Sequence, residues 1–348
     1  MWVGSKTCNA VGNCNDGSYF DTTASKTFVD VSMGMSDTIK YGSGQVKGYH
    51  VKDTVSWGGI VIPNQEFLLV TEEDKIIQTQ QVYGDVYVDG LIGLAYQGNK
   101  GSQLYSPSVL ESIVTKNMIS KPVFSMWLNG TADNDGESLL DGGGELILGG
   151  VDPTHYTGKI VTYPLVLDAE AYFWQIQLQS VQVGNTSLPR FPTPPISNGI
   201  STAVAILDSG TSLIYIEDNY LNFYILPAIY GRLERSGFWL VDNSLITKLP
   251  DVSFNFGDGL FYPLSYNDYV IPPSGNDGYR MLFGDVFLRR YFSVYDFSGP
   301  SVGLALAAMT YVRPGDGKTG PFVGVVPVEV ATKQAGASMA VWGIMTAS

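Results

Sequence analysis

The run Ala203-Val-Ala-Ile-Leu-Asp208-Ser209-Gly210-Thr211-Ser212-Leu-Ile-Tyr215 decides how the chain is to be read. Five apolar residues lead directly to an acid, followed by a glycine turn with hydroxyls on both sides and a second apolar strand. Burying a carboxylate costs several kcal/mol unless neighbours hydrogen-bond it, and Ser209, Thr211 and Ser212 stand where they can donate. An Asp-Ser-Gly hairpin turn in solvent would use the same residue types. The apolar runs on both sides argue for the interior.

Most of the surrounding sequence reads as short strands. Phe28-Val-Asp-Val-Ser, Gly59-Ile-Val-Ile-Pro, Glu66-Phe-Leu-Leu-Val, Ser125-Met-Trp-Leu, Glu145-Leu-Ile-Leu-Gly and Trp174-Gln-Ile-Gln-Leu-Gln are β-branched, aromatic or alternating. Gly, Asn, Asp or Pro punctuate them at short intervals. Helical periodicity is confined to Ser108–Val114, with Ser106-Pro107 as a start, and more weakly to Ile216–Leu221. The fold class is therefore all-β and antiparallel. A Pro-rich stretch, Arg190-Phe-Pro-Thr-Pro-Pro-Ile, reads as a surface loop, and a boundary is expected near Tyr163–Ala169. Residues 312–348 are rich in Gly, Pro, Ala and Ser and read as a flexible tail.

The 348 residues leave room for two domains, with 45% hydrophobic and only 15% charged side chains. Twenty Lys and Arg against 33 Asp and Glu give a net charge of −13, the wrong sign for a phosphate-binding surface, so no nucleic-acid partner is expected. In acid, so few basic groups also limit self-repulsion, which suits work at low pH. Cys8 and Cys14 bracket five residues and could be a disulfide, two thiols or half a metal site. His50 and His155 stand apart from other Cys or His residues, so neither a metal nor a cofactor is expected. Sequons at Asn129 and Asn185 fit an exported glycoprotein. No run is long and apolar enough for a transmembrane span, and the start Met1-Trp-Val-Gly-Ser-Lys lacks the pattern of a signal peptide.

Two further features belong with the acid. Ile39-Lys-Tyr41-Gly42-Ser43-Gly44-Gln-Val-Lys-Gly48 reads as a hairpin with a Gly-Ser-Gly tip, which could fold over a ligand. Val88-Asp-Gly-Leu-Ile-Gly-Leu-Ala resembles Met281-Leu-Phe-Gly-Asp-Val-Phe-Leu, and their central glycines, Gly93 and Gly284, lie 191 positions apart. This hints at a duplicated fold. No Gly-x-Ser-x-Gly or His-Glu-x-x-His motif is present for serine or zinc chemistry.

In order along the chain, these pieces resemble the pepsin-like aspartic proteases (peptidase A1), from Trp2 to about Ala307. Trp2-Val-Gly-Ser with the loop Cys8–Cys14, the flap Tyr41-Gly-Ser-Gly, Asp89-Gly-Leu-Ile-Gly-Leu-Ala-Tyr, Tyr172-Phe-Trp-Gln-Ile, Ile206-Leu-Asp-Ser-Gly-Thr and the segment from Leu282 to Asp296 carry the likeness. It implies a bilobal, pseudo-twofold all-β fold with an incomplete N-terminal lobe over 1–164, a C-terminal lobe over 165–311 and a tail over 312–348. It implies a monomeric endopeptidase, secreted or vacuolar, taking a polypeptide substrate or peptide ligand in an interlobe cleft. Asp208 would be catalytic, Ser209, Gly210 and Thr211 would support it, and Tyr41, Gly42, Ser43 and Trp2 would form the substrate-binding flap region. Cys8 and Cys14 would form a disulfide.

One departure matters. The family carries two Asp-Thr/Ser-Gly loops, whereas this sequence has only Asp208-Ser-Gly. The first would fall before Met1, so a truncated start is expected, together with an unpaired sheet edge where the missing strand would lie. Two adjacent carboxylates share one proton, so that one serves as base while the other serves as acid. A lone Asp208 lacks the partner, and this polypeptide is expected to be inactive or nearly so. The alternative is a non-catalytic peptide- or protein-binding relative.

Overall fold

The computed structural model describes residues 1–10, 14, 18–41, 44–74, 81–83, 86–87, 89–96, 106–128, 144–167, 173–189, 203–211, 214–216, 220–229, 232–233, 239–240, 245, 248–269 and 281–308. They divide into two compact units, Met1–Ser120 and a second that starts at Lys121.

The first unit contains β1 (Trp2–Gly4), β2 (Val29–Asp30), β3 (Ser36–Tyr41), β4 (Gly44–Trp57), β5 (Ile60–Glu73), β6 (Gln81–Tyr83), β7 (Val86–Tyr87) and β8 (Gly90–Leu91). Its main sheet is ordered β2-β4-β5-β1-β8, with β3 paired to β4. β1 lies parallel to β5 and antiparallel to β8. The two strand-like runs around Pro63 are one strand, β5. Asn64 adopts φ 54°, and the β4–β5 register shifts between Asp53 and Val55. A bulge thus accommodates a proline that has no N–H to donate.

Glycine sets how closely these strands approach. A Cβ at Gly48 would collide with the Leu69 carbonyl, and one at Gly90 would lie 2.5 Å from the Trp2 carbonyl oxygen. Between the strands, Trp2, Cys8, Cys14, Val46, Leu68, Val70 and Leu91 form one buried cluster. The helix Val109–Thr115 begins at Ser108, whose hydroxyl accepts from the Glu111 N–H at 3.1 Å, two residues after the start read from Ser106-Pro107.

The second unit opens with β9 (Val123–Leu128), β10 (Gly144–Leu148), β11 (Tyr156–Pro164), β12 (Gln175–Leu178), β13 (Ser180–Val183), β14 (Thr186–Ser187), β15 (Ala203–Leu207) and β16 (Ile214–Tyr215). It continues through β17 (Arg232–Leu233), β18 (Trp239–Leu240), β19 (Val252–Asn255), β20 (Phe261–Leu264), β21 (Met281–Phe283), β22 (Tyr291–Asp296) and β23 (Ser301–Ala307). Three larger sheets result, ordered β10-β9-β22-β23-β11, β12-β15-β21-β16 and β14-β13-β19-β20. The unit boundary at Ser120/Lys121 lies upstream of the 164/165 division expected from the sequence. The cause is pairing: β9 joins β22 and β11 joins β23, which binds 123–164 to the last strands of the chain. Phe124 stacks on Tyr295 with ring centroids 4.5 Å apart, and Trp174 meets Tyr295 edge-on at 5.2 Å. Helical residues near Leu221 run from Leu221–Ile225 into Leu226–Ala228, later than the Ile216–Leu221 reading.

Replacing Gly48 by alanine should cost about 1–3 kcal/mol, because the obstacle is backbone and cannot swing aside. Thermal denaturation checks this. A second expectation concerns acid. The Lys6 ammonium, then the hydroxyl and N–H of Thr23, hold the Asp21 carboxyl down at about 2. A pKa lowered by folding contributes stability above the unfolded value of about 3.9, and that contribution is lost as pH falls through the folded value. Carboxyl NMR should therefore find Asp21 still titrating near pH 2, and moving upward in Lys6→Met and in Thr23→Ala.

Candidate active site

β15 carries the acid inward. Its residues Val204–Leu207 are buried, as an apolar strand covered on both faces must be. It pairs antiparallel with β12 and parallel with β21, ending at the pair Leu207↔Phe283. Asp208 comes next and is only 3% exposed. The solvent-turn alternative is thereby excluded. The chain reverses at once, with the Thr211 N–H donating to the Asp208 carbonyl at 3.3 Å. That turn aims two donors at the side chain. The Gly210 N–H donates to Oδ1 at 2.9 Å, and the Thr211 hydroxyl donates to Oδ2 at 2.5 Å. Each carboxylate oxygen thus has a donor from its own loop, which offsets much of the loss of water. Ser209 and Gly210 are half-buried.

One nearby group was not singled out from the sequence. Burial pushes the Tyr295 hydroxyl well above its ordinary pKa, and the charge of Asp208 pushes it the same way. The only sequence signal was its place in the motif running to Asp296; in the fold its ring packs edge-on against Trp174, whose carbonyl accepts from the Leu207 N–H next to Asp208.

In the first unit, Trp2 is 1% exposed and its indole N–H donates to the Tyr41 hydroxyl at 2.7 Å. Burial raises the pKa of Tyr41, and the Trp2 bond partly offsets this. Tyr41 ends β3 and pairs with Gly44 across the hairpin. Cys8 and Cys14 are joined as a disulfide with Cα atoms 5.4 Å apart, in the same buried cluster as Trp2. This resolves the alternatives that spacing left open for the pair. The structure therefore groups Trp2, Tyr41 and the disulfide in one unit, and Asp208, Gly210 and Thr211 in the other.

Gly42, Ser43 and Asn129 lie outside the described residues. Asn185 is exposed on the turn between β13 and β14. Among the described residues, Glu145, Asp152 and His155 bring one possible metal ligand each within 4.8 Å of one another. Asp152 already accepts from the Thr154 N–H and hydroxyl, while the His155 ring faces Glu145 at 3.2 Å and stacks on Trp127. No described helix is long and apolar enough to cross a membrane.

A buried carboxylate, clamped by a Gly-Thr turn at the end of a doubly paired strand, thus lies in a chain built mostly of strands. The chain belongs to the eukaryotic aspartyl protease family, whose model matches residues 1–307. It is 31% identical to gastricsin of Macaca fuscata fuscata over 322 residues, covering 88% of this chain and 78% of that protein. Vacuolar protease A of Arthroderma otae is 30% identical over 320 residues, covering 88% and 72%. Chymosin of Camelus dromedarius is 30% identical over 321 residues, covering 88% and 74%.

Thr211→Val keeps the shape of the loop but strips one donor from a buried carboxylate. Stability at neutral pH should fall by about 1.5–3 kcal/mol, the range for hydrogen bonds to charged groups. Thr211→Ser should restore most of it. Urea titration of the two variants distinguishes the lost hydrogen bond from lost packing.

Proposed function

We propose that Asp208 is one of the two carboxylates of an aspartic endopeptidase site acting on polypeptides. The supporting observation is the pair of donors on a carboxylate that is almost fully buried. Such an arrangement fixes the direction of both oxygens while leaving lone pairs for a water molecule.

The chemistry needs a second acid. An ionised carboxylate takes a proton from water as the water oxygen attacks the peptide carbonyl carbon. A protonated partner gives its proton to the carbonyl oxygen. The C–N bond then breaks as the nitrogen gains a proton, and the pair is ready to share one proton again. In this scheme Tyr41, steadied by Trp2, covers the scissile bond, and Gly42 and Ser43 meet the substrate backbone. The 348 residues contain one Asp-Ser-Gly and no Asp-Thr-Gly. Loss of one general acid–base group costs about 10²–10⁴-fold in rate, so a polypeptide of these residues alone turns over poorly or not at all.

The disulfide and the sequons at Asn129 and Asn185 support an exported glycoprotein in a secreted or vacuolar setting. The single motif also favours a second reading, peptide binding without turnover.

Purified protein of these 348 residues, given an unfolded protein substrate at acid pH, should show cleavage no faster than its Asp208→Asn variant. Robust cleavage that is blocked by a transition-state-mimicking inhibitor and lost in Asp208→Asn would overturn the low turnover and uphold the role of Asp208. Tight peptide binding with no turnover even when a second acid is supplied would favour the binding reading.

A further inference from the structure

Glu145 lies on β10 directly across from Trp127 of β9. The chain then passes through Pro153–His155, a short helical turn capped by Asp152, and the His155 ring stacks on Trp127 with centroids 4.4 Å and planes 5° apart. Strand pairing and ring stacking thus bring His155 beside Glu145. The platform is tied down on several sides. The Trp127 indole N–H donates to the Ala308 carbonyl at 3.0 Å, the Ala308 N–H donates to the His155 carbonyl at 2.8 Å, and the His155 N–H donates to the Asp152 carbonyl at 3.1 Å.

His155 Nδ1 and a Glu145 carboxylate oxygen lie 3.2 Å apart. Nδ1 is sealed from solvent and makes no hydrogen bond, so the contact is close but off the line that a ring N–H needs. The spacing suits a shared cation instead. Bonds of about 2.0–2.2 Å to a tetrahedral zinc ion set its nitrogen and oxygen ligands roughly 3.3 Å apart. Asp152 supplies a third atom within 4.8 Å of the other two, and the Thr154 N–H and hydroxyl, both donating to Oδ1, fix how its carboxylate is turned. Closing the set takes at most about 1.5 Å of movement, which the long and partly exposed Glu145 side chain can supply. No Cys or second His marks the place in the sequence, because two of the three ligands are acids.

His50 gives the contrast. Its Nδ1 also stands 3.2 Å from a carboxylate, that of Glu66, but the Lys52 ammonium lies 3.4 Å from the same carboxylate. Among the described residues no third ligand-bearing group closes on that nitrogen. A cation there would meet another cation.

We propose that Glu145, Asp152 and His155 form a site for a borderline divalent cation of the zinc type, its coordination completed by water. One imidazole nitrogen among the donors selects against Ca²⁺ and Mg²⁺, which take oxygen ligands. The bound ion pins the connection between β10 and β11 to β9. This inference does not rest on the catalytic reading of Asp208.

The probe is Zn²⁺, titrated calorimetrically into chelator-stripped 348-residue protein at neutral pH, with Co²⁺ as its spectroscopic substitute. The expected result is one equivalent bound saturably, a raised thermal midpoint, visible Co²⁺ bands of a four-coordinate site, and Ca²⁺ bound at least about tenfold more weakly. His155→Phe keeps a ring on Trp127 but removes the nitrogen, and Asp152→Asn keeps the cap acceptor but removes the charge. Each should weaken Zn²⁺ binding at least about tenfold, while His50→Gln should change it less than about twofold. If His155→Phe fails to fold, Glu145→Gln, made at a partly exposed side chain, decides. No saturable binding below about 1 mM, binding that survives these changes, or binding lost in His50→Gln would overturn the site. Ca²⁺ bound as tightly as Zn²⁺ would overturn the choice of cation.

Discussion

A carboxylate almost sealed from water can persist only where the surrounding atoms replace its hydration. At Asp208 the replacements are a backbone N–H two residues on and a hydroxyl three residues on, both brought round by one tight turn. Among the described residues, strand pairing and the packing behind it hold this turn in place. β15 is pinned between β12 and β21, the Leu207 N–H donates to the Trp174 carbonyl at 3.1 Å, and Trp174 packs against Phe124 and Tyr295. Aromatic packing and strand pairing thus fix the position of one charged group.

The first unit applies the same means to a different end. Its hairpin strand β3 presents Tyr41, and the Trp2 indole holds the phenol at one hydrogen-bond distance. Trp2 is itself held between β5 and β8, with Gly90 allowing β8 to come close. Matching pairings in the two units, Trp2↔Leu91 and Tyr215↔Leu282, show the same local design at both ends of the chain.

Features that depend on neighbours in sequence were legible. The apolar run before Asp208 announced burial, and Thr211 was recognisable as a donor because its hydroxyl travels with the motif. The Gly-Ser-Gly tip after Tyr41 marked a hairpin, and the likeness between the Gly93 and Gly284 segments became a likeness of strand pairing. Features set by distant partners were not legible. The unit boundary at Ser120 depends on β9 and β11 finding β22 and β23, which no local pattern encodes. Tyr295 comes under the influence of Asp208 through packing on Trp174, a contact between two sheets that no local pattern encodes. Pro63 suggested a break, yet a single-residue bulge carries β5 past it. The metal and thiol alternatives for Cys8 and Cys14 fell only when their side chains were seen bonded in a common core.

The claim that Asp208 meets the reacting bond can be put to the test by co-crystallising the chain with a peptide whose scissile amide is replaced by a hydroxyl-bearing isostere. The hydroxyl oxygen should lie within about 3 Å of an Asp208 carboxylate oxygen, with the Thr211 and Gly210 bonds intact. A peptide seated elsewhere, with Asp208 still closed off from it, would contradict that role.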